Sequence, residues 1–88
     1  MRSLATPDFW TNYAELPPNI KLRARAAYRL WQDNPRHPSL RFKKVGELWS
    51  VRIGKGYRAL ALLEGDIYFW FWIGNHDEYE QMLSRNAI

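Results

Sequence analysis

Two short glycine-bearing turns decide most of what this chain can become. Gly54-Lys55-Gly56 and Glu64-Gly65-Asp66 divide the stretch from Leu48 to Ile73 into three segments, "LWSVRI", "YRALALL" and "IYFWFWI". Each segment is short and apolar. The first alternates, with Trp49, Val51 and Ile53 on one face and Leu48, Ser50 and Arg52 on the other. Glycine supplies the backbone angles that a tight reversal needs. Segments joined this closely pair antiparallel, so the spacing predicts a three-stranded meander. "LRFKKV", from Leu40, is read as a further short strand ahead of it.

The turns also set the register. If Gly54, Lys55 and Gly56 form a three-residue loop, Ile53 faces Tyr57 and Arg52 faces Arg58. Two arginines then lie side by side on one sheet face. If the second loop is Glu64 to Asp66, Leu63 faces Ile67 and Arg58 faces Trp72. A two-residue second loop would move the third strand by one place and exchange its faces. Like charges opposite one another cost stability unless something anionic lies between them, so the arginine pair points to a phosphate. The ordinary alternative is that one arginine snorkels to water, or pairs with Glu47 or with the acidic tail.

Upstream, the apolar spacing is helical. Thr6-Pro7-Asp8 has the chemistry of a helix start, and Phe9 and Tyr13 fall four apart on one face before Leu16-Pro17-Pro18 ends the segment. A second helix is expected from about Pro18 to Asp33, where Ile20, Ala24, Ala27 and Trp31 repeat on one side and Leu30 widens the stripe. Lys21, Arg25 and Arg29 form a separate stripe, read as a solvated face. "NPRHPSL" is a loop, and His37 within it is read as a surface residue. The expected fold is α+β: an N-terminal helical hairpin packed on an antiparallel sheet of three to four strands, with a short C-terminal helix. Residues 1–88 should form one domain, since a chain of this length has no room for a second core. Its five tryptophans, five tyrosines and four phenylalanines make one small core feasible.

Composition excludes some chemistry. Cysteine is absent, which removes disulfides, thiol catalysis and cysteine-based metal sites. Two histidines and scattered acids do not make a structural zinc site, so no metal and no cofactor is expected. No stretch approaches the roughly 20 apolar residues that span a membrane. The start, "MRSLATPDFW", lacks the apolar core of a secretory signal, so a cytoplasmic protein with no membrane partner is expected. The net charge is +4 and unevenly placed: Arg36 to Arg58 holds seven basic residues against one acid, Glu47. Such a segment fits a polyanion, most commonly nucleic acid, or else a solubilising surface.

The stretch "FWFWIGNHDEYE", Phe69 to Glu80, changes character at Gly74. An aromatic strand ends there, and Asn75-His76-Asp77-Glu78 has the pattern of a capping box that opens a last helix from about His76 to Arg85. On that reading His76 merely occupies the first helical position and Tyr79 packs on the sheet. That reading leaves room for a chemical role, because a rigid helix start is a good mount for a reactive side chain.

In order, these pieces are an L-W-x-x-R strand, a tight glycine turn, G-Y-R on the next strand, a short acidic turn, and an apolar strand ending in I-G-x-H. The combination resembles the RelE/ParE superfamily of toxins from bacterial type II toxin–antitoxin systems, over most of the chain from about Pro7 to Leu83. The resemblance implies a small fold of two helices on an antiparallel sheet, often with a C-terminal helix. It also implies one of two activities: RelE-like members cut mRNA in the ribosomal A site, and ParE-like members inhibit DNA gyrase without cutting RNA. Both kinds are neutralised by a cognate antitoxin encoded beside them. A third possibility is a non-toxic member that binds RNA or only its antitoxin.

Carried over by position, Arg58 matches the arginine that RelE-like nucleases place on the scissile phosphate, and Arg52 matches a basic position on the preceding strand. Ser50 stands where RelE has a second lysine. His76 lies where RelE has a C-terminal arginine and some relatives a histidine. Tyr79 resembles the family's catalytic tyrosine but sits closer to I-G-x-H. Lys43 or Lys44 is placed to replace the missing lysine, and the sequence does not select between them. Metal-free RNA cleavage needs an acid/base for the 2′-hydroxyl and the departing oxygen, and positive charge for the crowded phosphorane. His76 is the natural acid/base because imidazole titrates near neutrality. Arg58 can hold phosphate in bidentate fashion, with Arg52 adding charge and Tyr79 orienting the substrate. Lys43, Lys44, Arg41, Lys55 and Trp72 complete the expected RNA-binding set, although Trp72, like Trp70, is read first as a core residue and only second as a base-stacking one.

Overall fold

The computed structural model describes residues 2–86. Its order is β1 (Arg2–Ala5), α1 (Pro7–Ala14), α2 (Pro18–Asp33), a 3-10 turn (Pro38–Leu40), β2 (Lys43–Val45), β3 (Leu48–Ile53), β4 (Tyr57–Glu64), β5 (Ile67–Asn75) and α3 (His76–Asn86). The α+β class, the helical hairpin and the short last helix stand as expected. The sheet has five strands, in the order β1-β5-β4-β3-β2, and it is mixed. The strand missed from sequence is β1, which runs parallel to β5 from Arg2 beside Ile67 to Ala5 beside Trp70. Its four residues carry no apolar alternation that would announce a strand. They extend because β5 offers them a free edge.

Local chemistry explains the helix boundaries. The Thr6 hydroxyl accepts the Phe9 N–H at 3.3 Å, and Pro7 takes the first turn. The Thr6 N–H itself donates to the Trp70 carbonyl at 2.9 Å, so the cap of α1 is anchored on β5. In α2 the expected stripe faces inward: Ala24 and Trp31 are buried, while Ile20, Ala27 and Leu30 pack on the same core. Trp31, at 1% exposure, meets Tyr68, Trp70 and Phe42 edge-on at centroid distances of 5.3, 5.2 and 5.7 Å. Each such pair adds about 0.5–1.5 kcal/mol beyond burial alone. β2 is shorter than the strand expected from Leu40. Leu40 is buried in the 3-10 turn, Arg41 takes a left-handed conformation (φ 45°) to end that turn, and pairing begins only at Lys43.

The sheet separates two cores. One lies beneath α1 and α2 and includes Trp31, Val51, Ile53, Ala59 and Trp70. The other lies beneath α3 and joins Leu48, Leu60, Trp72 and Tyr79, with Phe71, Met82 and Leu83 packed on it.

The first turn is the three-residue loop expected, with Ile53 beside Tyr57 and Arg52 beside Arg58. The second is not. Glu64 pairs with Ile67, so only Gly65 and Asp66 turn the chain, with Gly65 at φ 61°. A primed two-residue turn needs that angle and matches the twist of the strands it joins. The shift by one place would exchange the faces of β5, but the register slips again between Leu60 and Ala61, at Phe71. The bulge restores the original parity. Trp72 therefore stays on the face of Arg58, but it is paired with Leu60, and Arg58 is paired with Gly74.

Candidate functional site

The candidate site lies on the α3 side of the sheet. Register places Lys43, Ser50 and Leu60 in one row, with Arg52 and Arg58 in the next. Lys43 therefore shares the face of the two arginines. Lys44, paired with Trp49, faces the α1–α2 side. Of the two lysines, only Lys43 lies on the face of the arginines.

The arginines answer their mutual repulsion by parting. Arg52 curls back, and its Nε donates to the Gly54 carbonyl at 2.8 Å. β2 pairs with β3 only from Leu48 to Ser50, so no strand blocks the edge beside Arg52. Arg58 turns the other way, donating from Nη1 to the Ser50 hydroxyl at 3.3 Å. Its guanidinium carbon stands 5.1 Å from the centroid of the Tyr79 ring. A cation over an aromatic face is held by the ring quadrupole, most strongly where water is excluded. Ser50 is fully buried, so its hydroxyl has a specific task in orienting Arg58. The serine is thus a support for the neighbouring arginine.

The last helix begins over this face because of its cap. The Asn75 side chain accepts the Glu78 N–H at 2.9 Å, and the Glu78 carboxylate accepts the Asn75 N–H at 3.1 Å. The capping box read from the sequence is therefore present. One contact was not legible: the His76 N–H donates to the Gly56 carbonyl at 2.8 Å, which ties the helix start to the β3–β4 turn. The His76 side chain is half exposed, with Nε2 3.7 Å from Glu80, one turn on. Its ring centroid lies 5.7 Å from that of Tyr79. Arg58, Tyr79 and His76 thus form a short series with the tyrosine in the middle.

Tyr79 is only 5% exposed and belongs to the core beneath α3. Trp72 is buried there as well. In this structure both rings pack against protein rather than presenting a face to solvent. Gly74 is the residue that makes the arrangement possible. A Cβ there would lie 2.5 Å from the Trp72 ring and 2.8 Å from the Glu78 carboxylate. Arg41 and Lys55 are exposed, away from Arg58's immediate contacts: Arg41 ends the 3-10 turn, and Lys55 sits at the tip of the β3–β4 turn. Among the described residues no three His, Asp or Glu side chains gather as a metal group would require. Among them, too, no helix is long and apolar enough to cross a membrane.

On its other side, between α1, α2 and the sheet, the protein has a cavity of about 400 Å³. Leu4 and Trp10 at its mouth are 57% and 54% exposed. Trp31 and Trp70 also line it, and each holds a buried indole N–H without a hydrogen-bond partner. Arg25 and Arg29 stand among the lining residues and no acid does. The stripe read as a solvated face therefore borders this opening, and Arg25 also donates to the Tyr13 hydroxyl at 2.9 Å.

Comparison with known proteins gives the following. The family model described as ParE-like toxin domain matches residues 18–81. No curated protein matches the sequence at a significant level. Among solved structures, the chain resembles one from the RelB-RelE antitoxin-toxin complex of Methanococcus jannaschii, with 17% identity, a TM-score of 0.71, and coverage of 90% of this chain and 96% of that one. YafQ from E. coli is 9% identical with a TM-score of 0.72, covering 90% and 98%. The YoeB/ParE toxin from Agrobacterium tumefaciens is 15% identical with a TM-score of 0.67, covering 86% and 99%. At these identities the likeness is one of fold.

Proposed function

We propose that this chain, which belongs to the ParE-like toxin domain family, is the toxin of a type II toxin–antitoxin pair and acts as an endoribonuclease on translated mRNA. The observation that carries the reading is Arg58 held between Ser50 and Tyr79, with His76 beside the same ring. Arg58 would bind the scissile phosphate and stabilise the charge that develops on it. His76, half exposed, would take the 2′-hydroxyl proton or supply one to the departing 5′-oxygen. Lys43 would hold a neighbouring phosphate from the next row of the sheet. Tyr79 would act through Arg58 as a positioning residue, because its ring is buried beneath the guanidinium. Arg52 would contribute from the sheet edge rather than beside Arg58. Arg41 and Lys55 would hold flanking backbone, and Lys44 would lie outside the path.

The partner is an antitoxin segment that covers the cavity beside α1 and α2. Exposed Leu4 and Trp10 call for apolar side chains, and Arg25 and Arg29 without a lining acid call for carboxylates. The structures of related fold include an antitoxin–toxin complex.

A second reading, inhibition of DNA gyrase without catalysis, is favoured by the ParE-like match. One experiment separates them. Primer extension on mRNA from translating ribosomes should show new 5′ ends with the parent protein and none with Arg58→Ala. Intact mRNA together with blocked DNA supercoiling would replace the nuclease reading with the second one.

A further inference from the structure

A second basic feature lies at the open edge of β3, away from Arg58. Between α2, the 3-10 turn and the β3–β4 turn is an open cavity of about 380 Å³. Arg23, Arg52 and Lys55 converge on it from three different elements, with Ser39 beside them. No acid lines it, and among the described residues none of the three cations makes an ion pair. Arg52 is fixed by its bond to the Gly54 carbonyl, which leaves its terminal nitrogens free to bind. Arg23 packs so closely on the turn that a Cβ at Gly54 would stand 3.2 Å from its Nη1. The remaining lining is apolar, from Ala27 and Leu30 of α2 and from Leu40.

We propose that this cavity is a nucleotide subsite: Arg23, Arg52 and Lys55 take a phosphate, and the apolar lining takes the sugar or base. Three cations kept together without a counter-charge repel one another, and a phosphate removes that cost while accepting charge-assisted hydrogen bonds from all three. The volume suits one nucleotide better than a bare ion. A carboxylate-bearing peptide would satisfy the cations equally, but it would leave the apolar surface to chance. The subsite rests on the RNA reading for its natural ligand. Arg52 would link the two, since it starts on the strand facing Arg58 and ends in this cavity. A strand cut at Arg58 would then be gripped again around the edge of β3, by contacts that set its register rather than its chemistry.

The test uses the purified full chain labelled with 15N and titrated separately with 5′-AMP, adenosine, inorganic phosphate and a short polyglutamate peptide. AMP should shift the amides of Gly54, Lys55 and Ser39, with phosphate weaker and adenosine silent. Arg23→Gln should weaken AMP about tenfold, the effect of losing one charged hydrogen bond. With a single-stranded RNA it should reduce the salt slope of log K by about 0.7. Ala26→Glu, an exposed helix position at the cavity, should abolish binding without unfolding the chain. The proposal is overturned if AMP shifts only residues around Arg58 and His76, if phosphate binds as tightly as AMP, if the peptide binds these amides more tightly, or if Arg23→Gln changes nothing. A chain that binds AMP here yet spares translated mRNA keeps the subsite and loses the nuclease reading. A chain that cuts mRNA with Arg23→Gln equal to the parent does the reverse.

Discussion

Arg58 and Tyr79 stand with the guanidinium carbon 5.1 Å from the ring centroid, and that pair joins the sheet to the last helix at the candidate site. The ring is buried beneath α3 and the cation is half-buried on β4. A tyrosine in that place offers the guanidinium the face of its ring.

The pair makes the first prediction. Tyr79→Phe keeps the ring and should keep most of any cleavage activity. Tyr79→Ala removes it, should cost about 3–5 kcal/mol of stability, and should cost activity as well. Comparing cleavage rates and denaturant midpoints of the two variants decides it. A large loss of activity in Tyr79→Phe with unchanged stability would assign the hydroxyl a direct chemical part instead.

His76 should behave in the opposite way. Its side chain is half exposed and its fixed contact is through the backbone N–H to Gly56. His76→Ala should therefore leave stability within about 0.5 kcal/mol. If it is the general acid or base, cleavage of translated mRNA should fall about 10²–10⁴-fold. Equal cleavage by parent and variant would remove His76 from the chemistry.

Gly74 tests the packing that lies under both. An added methyl has no room between Trp72 and Glu78, and the Trp72 ring cannot withdraw without disturbing its core. Gly74→Ala should destabilise by about 1–3 kcal/mol, and thermal unfolding reads this directly. Asn75→Ala should cost about 1 kcal/mol through the cap alone. If Gly74→Ala matched the parent in Tm, Trp72 would have another position available to it.

The proposed antitoxin surface predicts a separable phenotype. Trp10→Glu at the cavity mouth should weaken antitoxin binding by about 2 kcal/mol, a roughly thirtyfold larger Kd, while leaving toxicity of the free protein intact. Co-expression growth assays and calorimetry both report it. Undiminished binding would move the antitoxin to another face.

The chain's local chemistry announced α2, the three-residue turn, the facing of Arg52 and Arg58, and the cap formed by Asn75 and Glu78. Each depends on residues close in sequence or on a single reversal, so spacing was enough. What lay beyond it required distant partners. β1 forms because β5 presents an edge, and nothing in "RSLA" declares that. The second turn is two residues long and the bulge at Phe71 compensates it, so two local irregularities cancel into a parity that no single stretch encodes. Arg52 leaves the face it was read onto because β2 ends early and a carbonyl at Gly54 lies within its reach. Tyr79 and Trp72 were legible as aromatic residues with a place either in the core or facing a ligand. Their burial was decided by where α3 lands, which rests on the His76–Gly56 bond and on the space left by Gly74. The sequence alone thus determined the helices, the meander and the charges they carry. Only the tertiary structure decided which charges meet, because side chains on different strands converge through register, edge and cap together.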